Sequence, residues 1–118
     1  METKVHIKIT ETNEFKKDIV HYIHKRRLLA DDLIDFKRSL ALNPTVGDLI
    51  PGTGGVRKIR LKSAGVGKRG GFRVCYYYVV GDEIFLLSIY HKTKQENLSP
   101  SEIGILKNIS NAIKKCRK

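Results

Sequence analysis

Lysine and arginine crowd two short stretches of this chain. VRKIRLK, residues 56–62, holds Arg57, Lys58, Arg60 and Lys62, and GKRGGFRV, residues 67–74, holds Lys68, Arg69 and Arg73. Side chains alternate across a strand, so Ile59 and Leu61 share one face with Arg57. Lys58, Arg60 and Lys62 share the other face with Val56. The apolar pair must turn toward a core, which sends Lys58 and Arg60 to the opposite surface. Adjacent cations repel unless an anion stands between them. Phosphate suits that place, because a guanidinium is always charged and grips two of its oxygens at once.

The following strand splits in the same way. Phe72, Val74, Tyr76 and Tyr78 oppose Arg73, Cys75, Tyr77 and Val79. Both sets contain apolar residues, so alternation leaves open which one faces the helices. If Arg73 joins Lys58 and Arg60, three cations from two paired strands converge. His91, Lys92 and Lys94, at the end of the next strand, extend the same rim. Lys62, Lys68, Arg69 and Lys94 then serve to hold a nucleic-acid backbone. His6, His21 and His24 lie on the first strand and helix without chemical partners and read as surface or packing residues. Tyr76, Tyr77 and Tyr78 read as sheet packing, with one of them able to stack on a base.

Other chemistries fit poorly. Gly65, Gly67 and Gly70 satisfy GxGxxG, but they lie between two strands, where no helix N-terminus meets a pyrophosphate. GVGKR fails as a phosphate-binding P-loop: Arg69 takes the Ser/Thr position and Lys62 that of the first glycine. Two cysteines, Cys75 and Cys116, make no disulfide framework, and no Cys/His cluster has zinc spacing. We expect no metal and no cofactor. The start, METKVHIKIT, has no apolar leader core, and no later run is long enough to span a membrane. A cytoplasmic protein without a membrane partner is expected. Its net charge of +11, from 23 Lys and Arg against 12 Asp and Glu, fits a polyanionic partner such as RNA, DNA or an acidic protein.

The elements that must position these cations follow from periodicity. At 118 residues the chain suits one domain, 1–118, with a single core. Val5, Ile7 and Ile9 alternate with polar residues, as in a half-buried strand. Phe15, Ile19, Tyr22 and Ile23 predict a helix over about residues 12–26. A second helix starts at Asp31 or Asp32, carries Leu33, Phe36 and Leu40 inward, and stops at Asn43-Pro44. A Gly- and Pro-rich loop spans 43–55. Strands follow at about 56–62, 72–80 and 84–91, the last two joined at Gly81-Asp82. Ser99-Pro100-Ser101-Glu102 is a capping box that opens a last helix, with Ile103, Leu106, Ile109 and Ile113 facing the sheet. The order βααβββα describes an α+β domain whose sheet is mainly antiparallel and packed on helices.

The block GDLIPGTGGVRKIRLKSAGVGKRGGFRVCYYY, continued by FLLSIYHKTKQENLSPSE, closely resembles the HigB-type branch of the RelE toxins, within the wider RelE/ParE group. The likeness is good over roughly residues 28–115 and only general in the first strand and helix. It implies a compact fold similar to microbial ribonucleases. It also implies the toxin half of a type II toxin–antitoxin pair: an mRNA interferase that cuts messenger RNA on the ribosome. A small antitoxin would neutralise it, and the complex would bind operator DNA through the antitoxin. By position, Lys58 and Arg60 match the basic pair of the family's second strand, and Arg73 matches its phosphate-binding arginine. Lys92 falls where relatives carry a basic residue. Leu98 stands where some relatives place a tyrosine, and His91 stands where this branch carries a small residue.

The implied reaction is attack of a ribose 2′-hydroxyl on the adjacent phosphate, leaving a cyclic phosphate and a free 5′-hydroxyl. It needs a base, an acid and stabilisation of the charged phosphorane, with no metal. Arg73 and Arg60 suit the last role. Lys58 can act as base only after shedding its proton, which Arg60, Lys62 and Arg73 favour by repulsion. His91 needs no such help, since an imidazole titrates near neutrality. Two rivals stand beside this reading. One is a gyrase-poisoning toxin of the ParE class, which lacks the cationic catalytic set. The other is a non-catalytic nucleic-acid-binding module.

Overall fold

A computed structural model of the chain describes residues 7–25, 30–61, 71–91 and 97–116. Five strands and three helices follow one another along these segments: β1 (Lys8–Glu11), α1 (Asn13–His24), α2 (Ala30–Leu42), β2 (Asp48–Leu49), β3 (Val56–Leu61), β4 (Phe72–Val79), β5 (Glu83–His91) and α3 (Pro100–Cys116). The sheet runs β1-β5-β4-β3-β2. Only β1 is parallel to its neighbour, pairing Lys8 with Glu83 through Glu11 with Leu86. The expected α+β class with a mainly antiparallel sheet is therefore what the chain forms. None of the described helices is long and apolar enough to cross a membrane.

Helices cover both faces. Phe15, Ile19 and Tyr22 of α1 and Leu33 and Leu40 of α2 pack on Leu61, Phe72, Val74, Tyr76, Ile84, Leu86 and Ile89. Leu106 of α3 packs on the other face, against Val56, Cys75 and Leu87. Ile23, expected on the inward stripe of α1, lies at its margin and is exposed. Val5 and His6 fall outside the described residues, whereas Ile7 and Ile9 join the core of the α1 and α2 face.

Local chemistry sets the helix ends. The Thr12 hydroxyl accepts the Phe15 N–H at 3.3 Å and donates to the Leu86 carbonyl at 3.0 Å, tying the start of α1 to β5. At α3 the capping box forms as expected: the Ser99 N–H donates to Glu102 at 2.8 Å, and the Glu102 N–H donates to the Ser99 hydroxyl at 3.1 Å. α2 begins at Ala30, one residue ahead of the expected aspartates, which occupy its first turn.

The 43–55 loop holds the short strand β2, too brief to leave a period in the sequence. It pairs Asp48 with Lys58 and Leu49 with Arg57. Tyr76, fully buried, secures the loop: its hydroxyl donates to the Pro44 carbonyl at 2.8 Å and accepts the Gly47 N–H at 2.9 Å. The Arg57 guanidinium adds bonds to the Gly47 and Thr45 carbonyls, at 2.7 and 3.1 Å. A Cβ on Gly47 would stand 2.8 Å from the Tyr76 hydroxyl, so only glycine fits under that bridge. Farther on, buried Thr53 accepts the Val56 N–H through its hydroxyl, and its carbonyl accepts the Ser110 hydroxyl of α3.

Candidate active site

The register of β3 against β4 settles what alternation left open. Arg60 pairs with Arg73, and Lys58 pairs with Cys75. Phe72, Val74 and Tyr76 point into the core beneath α1 and α2, so Arg73 must point the other way. Lys58, Arg60 and Arg73 thus share one surface, on the α3 side of the sheet. Arg60 is exposed, while Lys58 and Arg73 are half-buried. Val46, Gly47 and Asp48 of the β2 loop close the edge of a cleft of about 240 Å3, lined as well by Lys58, Arg60 and Arg73.

Asp48 enters this cleft as a residue that the cation pattern did not signal. It stands opposite Lys58 on β2, and cross-strand partners lie on the same face. Its carboxylate is the cleft's counterweight to three cations. The bridge from Tyr76 and Arg57 to Gly47 fixes it there, next door in sequence. Gly71 shapes the opposite end: with φ of +99° it turns the chain into β4, and a Cβ there would meet the Arg60 Nε at 3.5 Å. Only glycine adopts that backbone without strain.

Beyond β4 the sites differ from expectation, for one physical reason. Cys75 pairs with Ser88 but Tyr76 with Leu86, so Leu87 is an extra residue and β5 carries a bulge. A bulge inverts the faces of everything that follows it. An uninterrupted count from Phe85 and Leu87 would put His91 on the cationic surface. With the bulge, Tyr90 comes to that surface beside Arg73. His91 instead pairs with Phe72, 5.1 Å away ring to ring, and is 5% exposed beneath the α1 side. The expectation that His91 joins the cationic rim is thereby corrected. The bulge leaves no mark in the residue types, so alternation alone does not bring Tyr90 to this surface.

Tyr90 and Cys75 flank Arg73 with groups held in their neutral forms. Burial, with Cys75 adding to it, pushes the Tyr90 hydroxyl up to about 12. That hydroxyl is buried and finds no hydrogen-bond partner among the described residues. Burial likewise raises the Cys75 thiol, only partly offset by Ser88 and Lys58. Cys75 is thus no thiolate nucleophile. Tyr76 is a buried structural tyrosine, and Tyr78 accepts the Gly81 N–H at 2.8 Å. Tyr77 lies under Lys114, 5.9 Å from its ring centre. Lys62, Lys68, Arg69, Lys92 and Lys94, expected to line the site, lie outside the described residues, as do Gly65, Gly67 and Gly70.

The face therefore carries two opposed guanidiniums, an ammonium, a carboxylate and a neutral phenol. This set suits an anion with several oxygens, and Lys58 and Asp48 are its members able to move a proton. A family model described as the RelE toxin of the RelE/RelB toxin-antitoxin system matches residues 7–118.

Proposed function

Because the chain belongs to the RelE toxin family, whose model spans nearly all of it, we propose that it is a HigB-type mRNA interferase that cuts messenger RNA in the ribosomal A site. Family membership makes it the toxin of a type II pair and implies a cognate antitoxin. Cleavage on the ribosome is our reading of how it acts, as a single domain in the cytoplasm. The observation that carries the reading is the pairing of Arg60 with Arg73, beside Lys58 on one surface.

A pair of like charges directly opposite each other is unfavourable in a sheet. A bound phosphodiester offsets that cost, because each guanidinium donates to one or both of its free oxygens. As the 2′-oxygen attacks, negative charge builds on those same oxygens, and the two arginines stabilise it without reorganising. The 2′-hydroxyl proton passes to Asp48, and protonated Lys58 gives one to the departing 5′-oxygen. The products are a 2′,3′-cyclic phosphate and a free 5′-hydroxyl, with no metal required. Tyr90, neutral and next to Arg73, offers a ring for a base to stack on. Lys62, Lys68, Arg69, Lys92 and Lys94 contribute charge toward the ribosome and the mRNA. Operator DNA is bound through the antitoxin complex.

The assay is a programmed ribosome stalled with an open A site, incubated with the purified protein. We expect a cut in the A-site codon that ends in a cyclic phosphate, and no cut in the same RNA free in solution. DNA breaks that depend on gyrase would instead select the ParE-like alternative. Tight ribosome or RNA binding without any scission would select the non-catalytic module.

A further inference from the structure

We propose that the outer edge of β5 beyond β1 is a docking groove for an extended, cationic segment of the antitoxin. β1 accompanies β5 only from Glu83 to Leu86. From Leu87 to His91 no described strand runs on that side. A cleft of about 570 Å3 follows this edge, with Leu87 to Tyr90 along its floor, α1 on one wall and α3 on the other. Five residues of strand span about 16 Å, enough to pair with a short extended peptide. Leu98, Leu106 and Ile109 line the cleft, and Ile105 stands at its lip, 55% exposed.

Charge identifies the occupant. In a chain of net charge +11, every charged residue lining this groove among the described residues is acidic: Glu14, Asp18 and Glu102. Glu102 is already committed to the Ser99 N–H. Burial, with repulsion from Glu14 adding to it, pushes the Asp18 carboxyl up, while the Ile89 backbone N–H, His21 and Lys17 hold against it. Asp18 thus caps a donor on the open edge, as a sheet does to keep an unpaired strand from promiscuous pairing. A lysine or arginine on an incoming strand relieves the Glu14–Asp18 repulsion and releases the Ile89 N–H to the new partner. An acidic segment would be repelled here and drawn to the cationic cleft on the sheet face. The groove therefore selects a segment that alternates apolar and basic residues.

This inference rests on the toxin reading for the identity of the partner. Its test is a titration of the purified toxin with its cognate antitoxin, using wild type, Glu14→Lys and Ile105→Lys, both at exposed positions. Each variant should bind roughly 10-fold more weakly or worse, the loss of about one good contact. Cleavage on stalled ribosomes by the free variants should stay within about twofold of wild type, since a change of that size is well under one contact. Amide hydrogen exchange across residues 87–91 should slow when the antitoxin binds. Unchanged affinity in both folded variants, or protection confined to the strands around Lys58, overturns the groove. So does loss of toxin self-association, without loss of antitoxin affinity, in the two variants. Variant-sensitive antitoxin binding by a toxin that, freed of antitoxin, never cuts mRNA would sink the nuclease reading and leave the groove standing.

Discussion

Replacing Arg73 with alanine separates fold from chemistry more cleanly than any other change. Arg73 is half-buried on the α3 side of β4, directly opposite Arg60. Among the described residues its guanidinium donates to the Phe72 carbonyl at 3.5 Å, at the limit of a hydrogen bond. Two stability effects therefore oppose each other. Truncation loses the packing of the aliphatic stem beside Tyr90. It also removes a like charge across the sheet, a repulsion worth roughly 0.2–1 kcal/mol. Their difference should lie within about 0.5 kcal/mol, or ~2 °C in Tm for a domain of this size. Catalysis has no such offset. Loss of one preorganised donor to the phosphorane should cost ~10²-fold or more in single-turnover cleavage, about 2.7 kcal/mol. Arg73→Lys should fall between, since it keeps the charge but loses the two-pronged grip. Melting temperature and cleavage on stalled ribosomes would be measured on the same preparation. Cleavage near the wild-type rate in a well-folded Arg73→Ala would refute the site as drawn.

Asp48→Asn should slow cleavage by ~10²-fold, the range for loss of a positioned proton acceptor, with little change in ribosome affinity; an unaltered rate would move the base elsewhere. His91→Ala should lower Tm, at a cost of about 2 kcal/mol for emptying a buried site, yet leave the pH–rate profile of the folded enzyme unchanged; a lost pH limb would restore His91 to the chemistry. Gly47→Ala drives a methyl into the Tyr76 hydroxyl and should destabilise by roughly 1–3 kcal/mol while also slowing cleavage, because Asp48 moves with the loop; retention of both would dissolve that link. Tyr90 ionises only when its pKa of about 12 is reached, against ~10 when unfolded, so native protein holds the extra proton and stability falls as pH rises from 10 to 12. Tyr90→Phe should reduce that slope, read by denaturant titration across the interval, and an identical slope would contradict the burial of its hydroxyl.

How far this architecture is legible in residue types depends on whether a feature has a period. The cations of β3 are legible because Ile59 and Leu61 fix the inward face and leave Lys58 and Arg60 no other side. The start of α3 is legible for a similar reason: Ser99, Pro100 and Glu102 satisfy a cap that few other sequences satisfy, and the two bonds form. Arg73 needed the register, since Phe72, Val74, Cys75 and Tyr77 are all at home in a core, and α3 provides a second core on the far face. Helix cover on both faces removes the polar–apolar contrast that alternation relies on.

The features that residue types do not show share a cause that also bears on function. β2 is two residues long and β5 holds one extra residue, and neither feature has a repeat to detect. Yet these two irregularities shape the cationic face. β2 carries Asp48 up to Lys58, and the Leu87 bulge turns Tyr90 toward Arg73 while burying His91. A regular β5 would present an imidazole next to two guanidiniums, where repulsion keeps it unprotonated and denies the site an acid. The bulged strand presents instead a phenol that stays neutral up to about 12, consistent with the proposed proton transfer by Asp48 and Lys58. Deleting Leu87 should return β5 to strict alternation and exchange Tyr90 for His91 on the cationic face. Hydrogen exchange would show whether the sheet still forms, and the pH–rate profile would report the exchange. If the deletion folds and its profile gains a limb below neutrality, where an imidazole crowded by guanidiniums titrates, the bulge is what sets the chemistry of this face. A folded deletion with an unchanged profile would show that proton transfer is indifferent to which side chain stands beside Arg73.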